Sequence, residues 1–144
     1  MARVKIDLPQ AMIFSTEIAV RITDINYGGH MGNDSLLSLV HEARGRFLAS
    51  LGYAEQDVEG AGIIMTDAML SYKAQVFYGD VLHIAIGVGE VTGVGADIVY
   101  AVTNKKTGKE VARVKTGIAF FDYARKKVVE VPDRFRHKVM GHAT

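Results

Sequence analysis

From Asp34 onward the apolar residues Leu36, Leu37, Leu39, Val40, Ala43, Phe47, Leu48 and Leu51 recur at helical spacing, and beyond the next loop the chain is written almost entirely in strand periods. One long helix and one run of strands leave few ways to build a core. The helix is about five turns long, its apolar positions cover well over half its circumference, and Gly52 offers a C-terminal stop. A helix that apolar is expected to be wrapped rather than docked along one line.

The strands that could wrap it lie on both sides. Before the helix, Phe14 to Thr23 alternates, with Ile18, Val20 and Ile22 on one side and Glu17, Ala19 and Arg21 on the other. After the loop "GYAEQDVEGAG" come Ile63 to Gln75, Val81 to Val91, Ile98 to Asn104 and Glu110 to Asp122, the last two joined through "KKTGK" as a hairpin. The order strand, long helix, four antiparallel strands is an α+β layout in which one sheet curls around one helix. No second helix is read that would cover the outer face, so part of the sheet should stay exposed, which favours pairing of two copies.

At 144 residues and 49% hydrophobic the chain is sized for one domain, 1–144, with its core at about 14–132 between the two prolines, Pro9 and Pro132. Seventeen Lys plus Arg against sixteen Asp plus Glu give no electrostatic case for nucleic acid or an anionic membrane surface. Cysteine is absent, which removes disulfides, thiolate metal sites and a cysteine nucleophile. The opening "MARVKIDLPQAM" lacks the apolar region of a signal peptide and no run approaches the roughly 20 apolar residues of a membrane span, so a soluble, cytoplasmic protein is expected. His41 and Glu42 are adjacent and His137 and His142 sit in a polar tail; no metal is expected. The glycine-rich "GVGEVTGVGAD" neither ends in Gly-Lys-Ser/Thr nor precedes a helix, and reads as a bent strand and turn.

Chemistry concentrates between the first strand and the helix, in "DINYGGHMGND", Asp24 to Asp34. Within Val20 to Tyr53, Arg21, Asp24, Gly29, His30, Asn33 and the helical Glu42, Ala43 and Arg44 resemble the opening of the hot-dog acyl-CoA thioesterases of the 4-hydroxybenzoyl-CoA thioesterase type. "LSYKAQVFYGDVL", with Tyr72, Lys73, Gly79 and Asp80, and "VKTGIAFFDYARKKVVEVP" extend the resemblance to Pro132. It implies a sheet of five or six antiparallel strands around the helix, a homodimer that can double to a tetramer, acyl-CoA as substrate at the dimer interface, and no cofactor beyond the coenzyme A of that substrate. One position departs: the second Asp of the family's Asp-x-Asp pair, its nucleophile or general base, is Asn26 here.

Thioester hydrolysis needs an oxyanion site and an activated water. A helix N-terminus supplies the first, and Gly28, Gly29 and Gly32 let substrate approach the main chain, with donors expected from the amides around Gly29 to Met31. Asn26 can orient water but cannot take a proton at neutral pH. Asp34, in the first helical turn, is the first candidate base, with capping as its plain alternative. Asp24, two residues before Asn26, would face the same side of a strand and either joins the site or braces the loop. Asp67 interrupts an apolar strand and is either hydrogen-bonded in place or functional. His30 carries an imidazole, a side-chain type able to transfer protons, and either does so or supports the loop; Asn33 either caps the helix or braces the acyl carbonyl. Glu42 reaches the site or pairs with Arg46, and His41 shares a helix face with Arg44. Lys73 and Arg113 are among the cations that could meet coenzyme A phosphates, with nothing in the sequence separating them from solvated charge. A non-catalytic acyl-CoA-binding protein, a sensor or accessory subunit, is the alternative that Asn26 favours. A hot-dog hydratase would need a paired Asp and His that the residues after the helix do not offer.

Overall fold

The computed structural model describes residues 4–140, so His142 and the extreme ends of the 1–144 unit lie outside it. In chain order the elements are β1 (Phe14–Ala19), α1 (Asn33–Ser50), β2 (Gly62–Tyr72), β3 (Val81–Val91), β4 (Gly95–Asn104), β5 (Glu110–Asp122), β6 (Lys127–Val128) and α2 (Asp133–Met140), with a single 3-10 turn at Ile22–Asp24. All strand pairs are antiparallel, in the order β1-β3-β4-β5-β2, and the short β6 adds to β5. The hot-dog architecture expected from the sequence is present.

The sheet's inner face arises from alternation. Leu82, Ile84 and Ile86 of β3 are fully buried while Val81, His83 and Ala85 between them are only half so, and Ile98, Tyr100 and Val102 of β4 continue the same inward row. Against it α1 buries Leu36, Leu39, Val40, Ala43, Phe47 and Leu48. The stripe is narrower than its apolar content: Leu37 is 38% exposed and Leu51 half-buried, because wrapping stops short of a full turn. The helix ends as Gly52 announces. Gly52 adopts φ +85°, its amide meets the Ala49 carbonyl at 3.0 Å, and the Tyr53 amide returns to the Leu48 carbonyl at 2.9 Å, closing a Schellman motif.

Several boundaries differ from the sequence reading: β4 begins at Gly95 rather than Ile98, and three other differences have a visible cause. β1 stops at Ala19 rather than Thr23, because Val20 exchanges hydrogen bonds with Gly79 and Asp80 and the Asp24 carboxylate draws the next residues into the 3-10 turn. Asp24 and Asn26 therefore do not share a strand face. β2 ends at Tyr72, leaving 73–80 as an irregular segment that packs Val76 into the core. The core also runs past Pro132: α2 inserts Phe135 and Val139, with Phe135 5.1 Å from Phe120 and 6.3 Å from Tyr53, ring centre to ring centre. This second helix, absent from the sequence reading, covers part of the structure beside the C-terminus of α1. Among the described residues no helix is long and apolar enough to cross a membrane.

Candidate active site

The segment from Asp24 to Asp34 folds back on itself before entering α1. Asn26 donates its amide to the His30 carbonyl at 3.0 Å, Gly29, at φ +86°, donates to the Asn26 carbonyl at 3.0 Å, and Ile25 bridges to Met31. The Asn26 side chain completes the turn by accepting the Gly28 amide on Oδ1 at 2.8 Å. Met31 is anchored from the other side: its amide donates to the Val76 carbonyl at 2.8 Å, and its own carbonyl accepts the Tyr72 hydroxyl at 3.4 Å. Burial pushes the Tyr72 hydroxyl above its ordinary pKa, so it serves as a neutral donor.

The three residues after Met31 form the entrance to α1. The N-cap of α1 is Gly32, in an extended conformation, and no side chain caps the helix. Neither Asn33 nor Asp34 is therefore the cap that sequence statistics favour; they are the first two residues of the helix itself. Among the described residues the amides of Asn33, Asp34 and Ser35, and that of His30, meet no acceptor. These are unspent donors at the positive end of an 18-residue helix. Of the loop amides expected to serve, those of Gly29 and Met31 are engaged internally.

Two side chains flank this opening. A Cβ on Gly32 would stand 2.5 Å from Asp34 Oδ1 and 3.5 Å from Asn26 Nδ2, so both groups converge on the space that glycine leaves open. Asp34 forms no hydrogen bond or salt bridge with any described residue and is exposed. His30 sits beside them, with Nδ1 3.3 Å from the Met31 carbonyl. When Nδ1 donates there, Nε2 is left as an acceptor, near Gly28.

The remaining carboxylates have settled partners. Asp24 is buried and receives the Arg21 amide at 2.8 Å and the Arg21 guanidinium at 3.2 and 3.0 Å. Burial raises its pKa, but the hydrogen bonds and charge of Arg21 together outweigh this and hold the carboxyl below its ordinary value. Glu42 is exposed and paired with Arg46 at 2.7 Å, farther along α1. His41 and Arg44 share a partner in Glu55, at 3.2 and 3.0 Å, and the buried Arg44 continues to the Tyr100 hydroxyl at 3.1 Å. Asp67, at a bulge in β2, is exposed rather than buried and accepts the Gly117 amide at 3.1 Å. It lines a shallow cleft with Leu37, His41, Arg44, Met65 and Thr66 on the open side of α1. Tyr72 is the site contact to which sequence alone assigns no role; its place at the end of β2, opposite the loop, is the available signal.

Comparison with known proteins agrees with this frame. Among solved structures the chain is similar to a 1,4-dihydroxy-2-naphthoyl-CoA thioesterase from Synechocystis, at TM-score 0.81 and 18% identity over 91% of this chain and 98% of that one. It is also similar to a hypothetical protein from Aquifex aeolicus, at 0.80 and 22% over 88% and 99%, and to a DHNA-CoA thioesterase from Staphylococcus aureus, at 0.77 and 21% over 90% and 89%. At these identities the likeness carries the fold. A search of curated protein sequences finds no match. The thioesterase-like superfamily profile matches residues 20–139, nearly the whole described chain, and the protein belongs to that superfamily.

Proposed function

We propose that this protein hydrolyses acyl-CoA thioesters of small or medium acyl groups at the mouth of α1. The observation that carries the reading is the uncapped helix entrance, where unspent amides and the unpaired Asp34 carboxylate converge on the opening at Gly32. The thioester carbonyl oxygen lies against the amides of Asn33 to Ser35 and of His30, with Asn26 Nδ2 as a further donor. Asp34 takes a proton from water as the water oxygen bonds to the carbonyl carbon. Negative charge then rests on the former carbonyl oxygen, facing donors already oriented by the helix. Collapse of the tetrahedral intermediate breaks the C–S bond, and the proton held by Asp34 passes to the departing thiolate, leaving free acid and coenzyme A. Asn26 shapes the loop and donates; it is not the base.

The acting unit is a homodimer that can double to a tetramer. β2 is a sheet edge, and its Met65, 43% exposed, lies with Leu37 along an open cleft beside α1. A second copy seated there would cover both and close the acyl site.

Thiol release from a panel of short, medium, long and aromatic acyl-CoAs, with wild type beside Asn26→Asp, tests the reading. Turnover by the wild type is expected. Silence from it, with activity appearing in Asn26→Asp, would favour the second reading, a non-catalytic acyl-CoA-binding protein, which the amide at Asn26 supports.

A further inference from the structure

The segment ahead of β1 lies across the outside of the sheet. Its root is fixed where the Ile13 amide donates to the Ile86 carbonyl at 2.8 Å. From there it turns over β3: a Cβ on Gly87 would stand 2.6 Å from the Pro9 ring, 2.9 Å from the Ala11 carbonyl oxygen and 2.9 Å from the Met12 sulfur. Farther along, the Ile6 carbonyl accepts Nη1 of Arg113, on β5, at 3.0 Å. β4 separates β3 from β5, so the crossing spans two strand spacings, roughly 10 Å, and three extended residues from Pro9 to Ile6 cover about that distance. Residues 4–12 therefore form a strap over three strands.

What the strap covers is apolar. Leu82, Ile84 and Ile86 point into the core, so Ala85 and Gly87 between them point outward, as do Ala101 and Val99 opposite them on β4. Val99, on the path from Gly87 to β5, is only 3% exposed despite facing away from the core. The strap alternates to match: Ile6 is 6% exposed and Leu8 half-buried, while Lys5 and Asp7 face water. Its hold is slight. Among the described residues, Val4 to Met12 make no hydrogen bond between main chains, and the Arg113 contact is their single polar tie. Such a segment can open locally without unfolding the domain. Lifting it would bare an apolar sheet face bordered by Asp97 and Lys115, outward charges of opposite sign 3.9 Å apart. Neighbouring opposite charges make that border self-complementary about a two-fold axis, which fits a second copy of this chain.

We propose that the strap is a removable cover on a self-association face: seated, it closes the outside of the sheet, and lifted, it lets that face take the same face of a second copy. The β2 edge is a separate surface, so the inference stands apart from the proposed dimer and from the hydrolase reading. Ile6→Asp combined with Leu8→Asp unseats the strap from its own side, and Gly87→Ala unseats it from the sheet's. Tryptic cleavage after Lys5, followed by mass spectrometry, reads the seating; both variants should be cut about tenfold faster than the wild type or more. In sedimentation both should reach twice the wild-type mass as concentration is raised, and adding Val99→Lys to either should return the wild-type mass. Faster cleavage at unchanged mass overturns the masking. A doubled species that survives Val99→Lys places the association elsewhere and overturns the face. Cleavage at the wild-type rate in both variants overturns the strap as a removable cover.

Discussion

Arg44 contributes differently from what its place on a helix face implies. Its guanidinium is buried among Glu55 at 3.0 Å and Tyr100 at 3.1 Å, and the Tyr100 hydroxyl continues to Thr116 at 2.8 Å. Burial pushes the Tyr100 hydroxyl above its ordinary pKa, against the opposing charge of Arg44, so it stays a neutral link. Removing the guanidinium takes the buried cation from between Glu55 and Tyr100, which keep only His41 and Thr116 as partners; Arg44→Met should lose about 3 kcal/mol in urea unfolding, and a loss within ~0.5 kcal/mol would contradict the network. His41 and Arg44 can be placed on one face from sequence, but their meeting at Glu55 depends on a loop path that no short-range period encodes. The Arg21–Asp24 pair has a pH signature. Because the folded carboxyl is held below its unfolded value, its contribution is complete above the ordinary carboxylate range and drains as pH falls through and below it. Asp24→Asn should flatten the acid limb of Tm against pH; an unchanged limb would assign acid sensitivity elsewhere. Asp24, Asn26, His30, Asn33 and Asp34 are all legible as a group because they lie within eleven residues of one another. Which are spent and which are free is not legible, since that depends on Gly32 being the cap.

Elements with unambiguous periods are legible, and those set by tertiary contact are not. α1 and β3 match their periods because their apolar rows face one core. β1 reads several residues too long because alternation persists to Thr23 while the carbonyls and carboxylate around Arg21 turn the chain. α2 escapes the sequence reading because Pro132 marks a helix start as readily as a domain end. Phe135 and Val139, four apart, are the helical signal there. Phe135 is fully buried against Phe120 and Tyr53, so Phe135→Ala should cost about 3–5 kcal/mol by denaturant unfolding, where a peripheral tail would lose under ~1 kcal/mol. Gly52→Ala, at φ +85°, should cost about 1–2 kcal/mol by the same measurement; a neutral result would mean the C-terminal cap relaxes.

For the whole molecule, the open β2 edge and the exposed Leu37 and Met65 offer the face on which the proposed dimer would form. Sedimentation at micromolar concentration should therefore give a dimer, and Leu37→Lys combined with Met65→Lys should shift it toward monomer with loss of turnover. A wild type that sediments as a monomer and turns over at full rate would place the complete site within one chain. Catalysis in the proposed hydrolase turns on Asp34, at an uncapped helix mouth, supplying the base that Asn26 does not. The most direct test is kcat for the best acyl-CoA substrate in wild type and Asp34→Asn, with folding verified by Tm. A fall of about 10²-fold or more with little change in Tm is expected; a fall within about threefold would contradict the assignment and leave Asp34 as an ordinary acidic residue at a helix start.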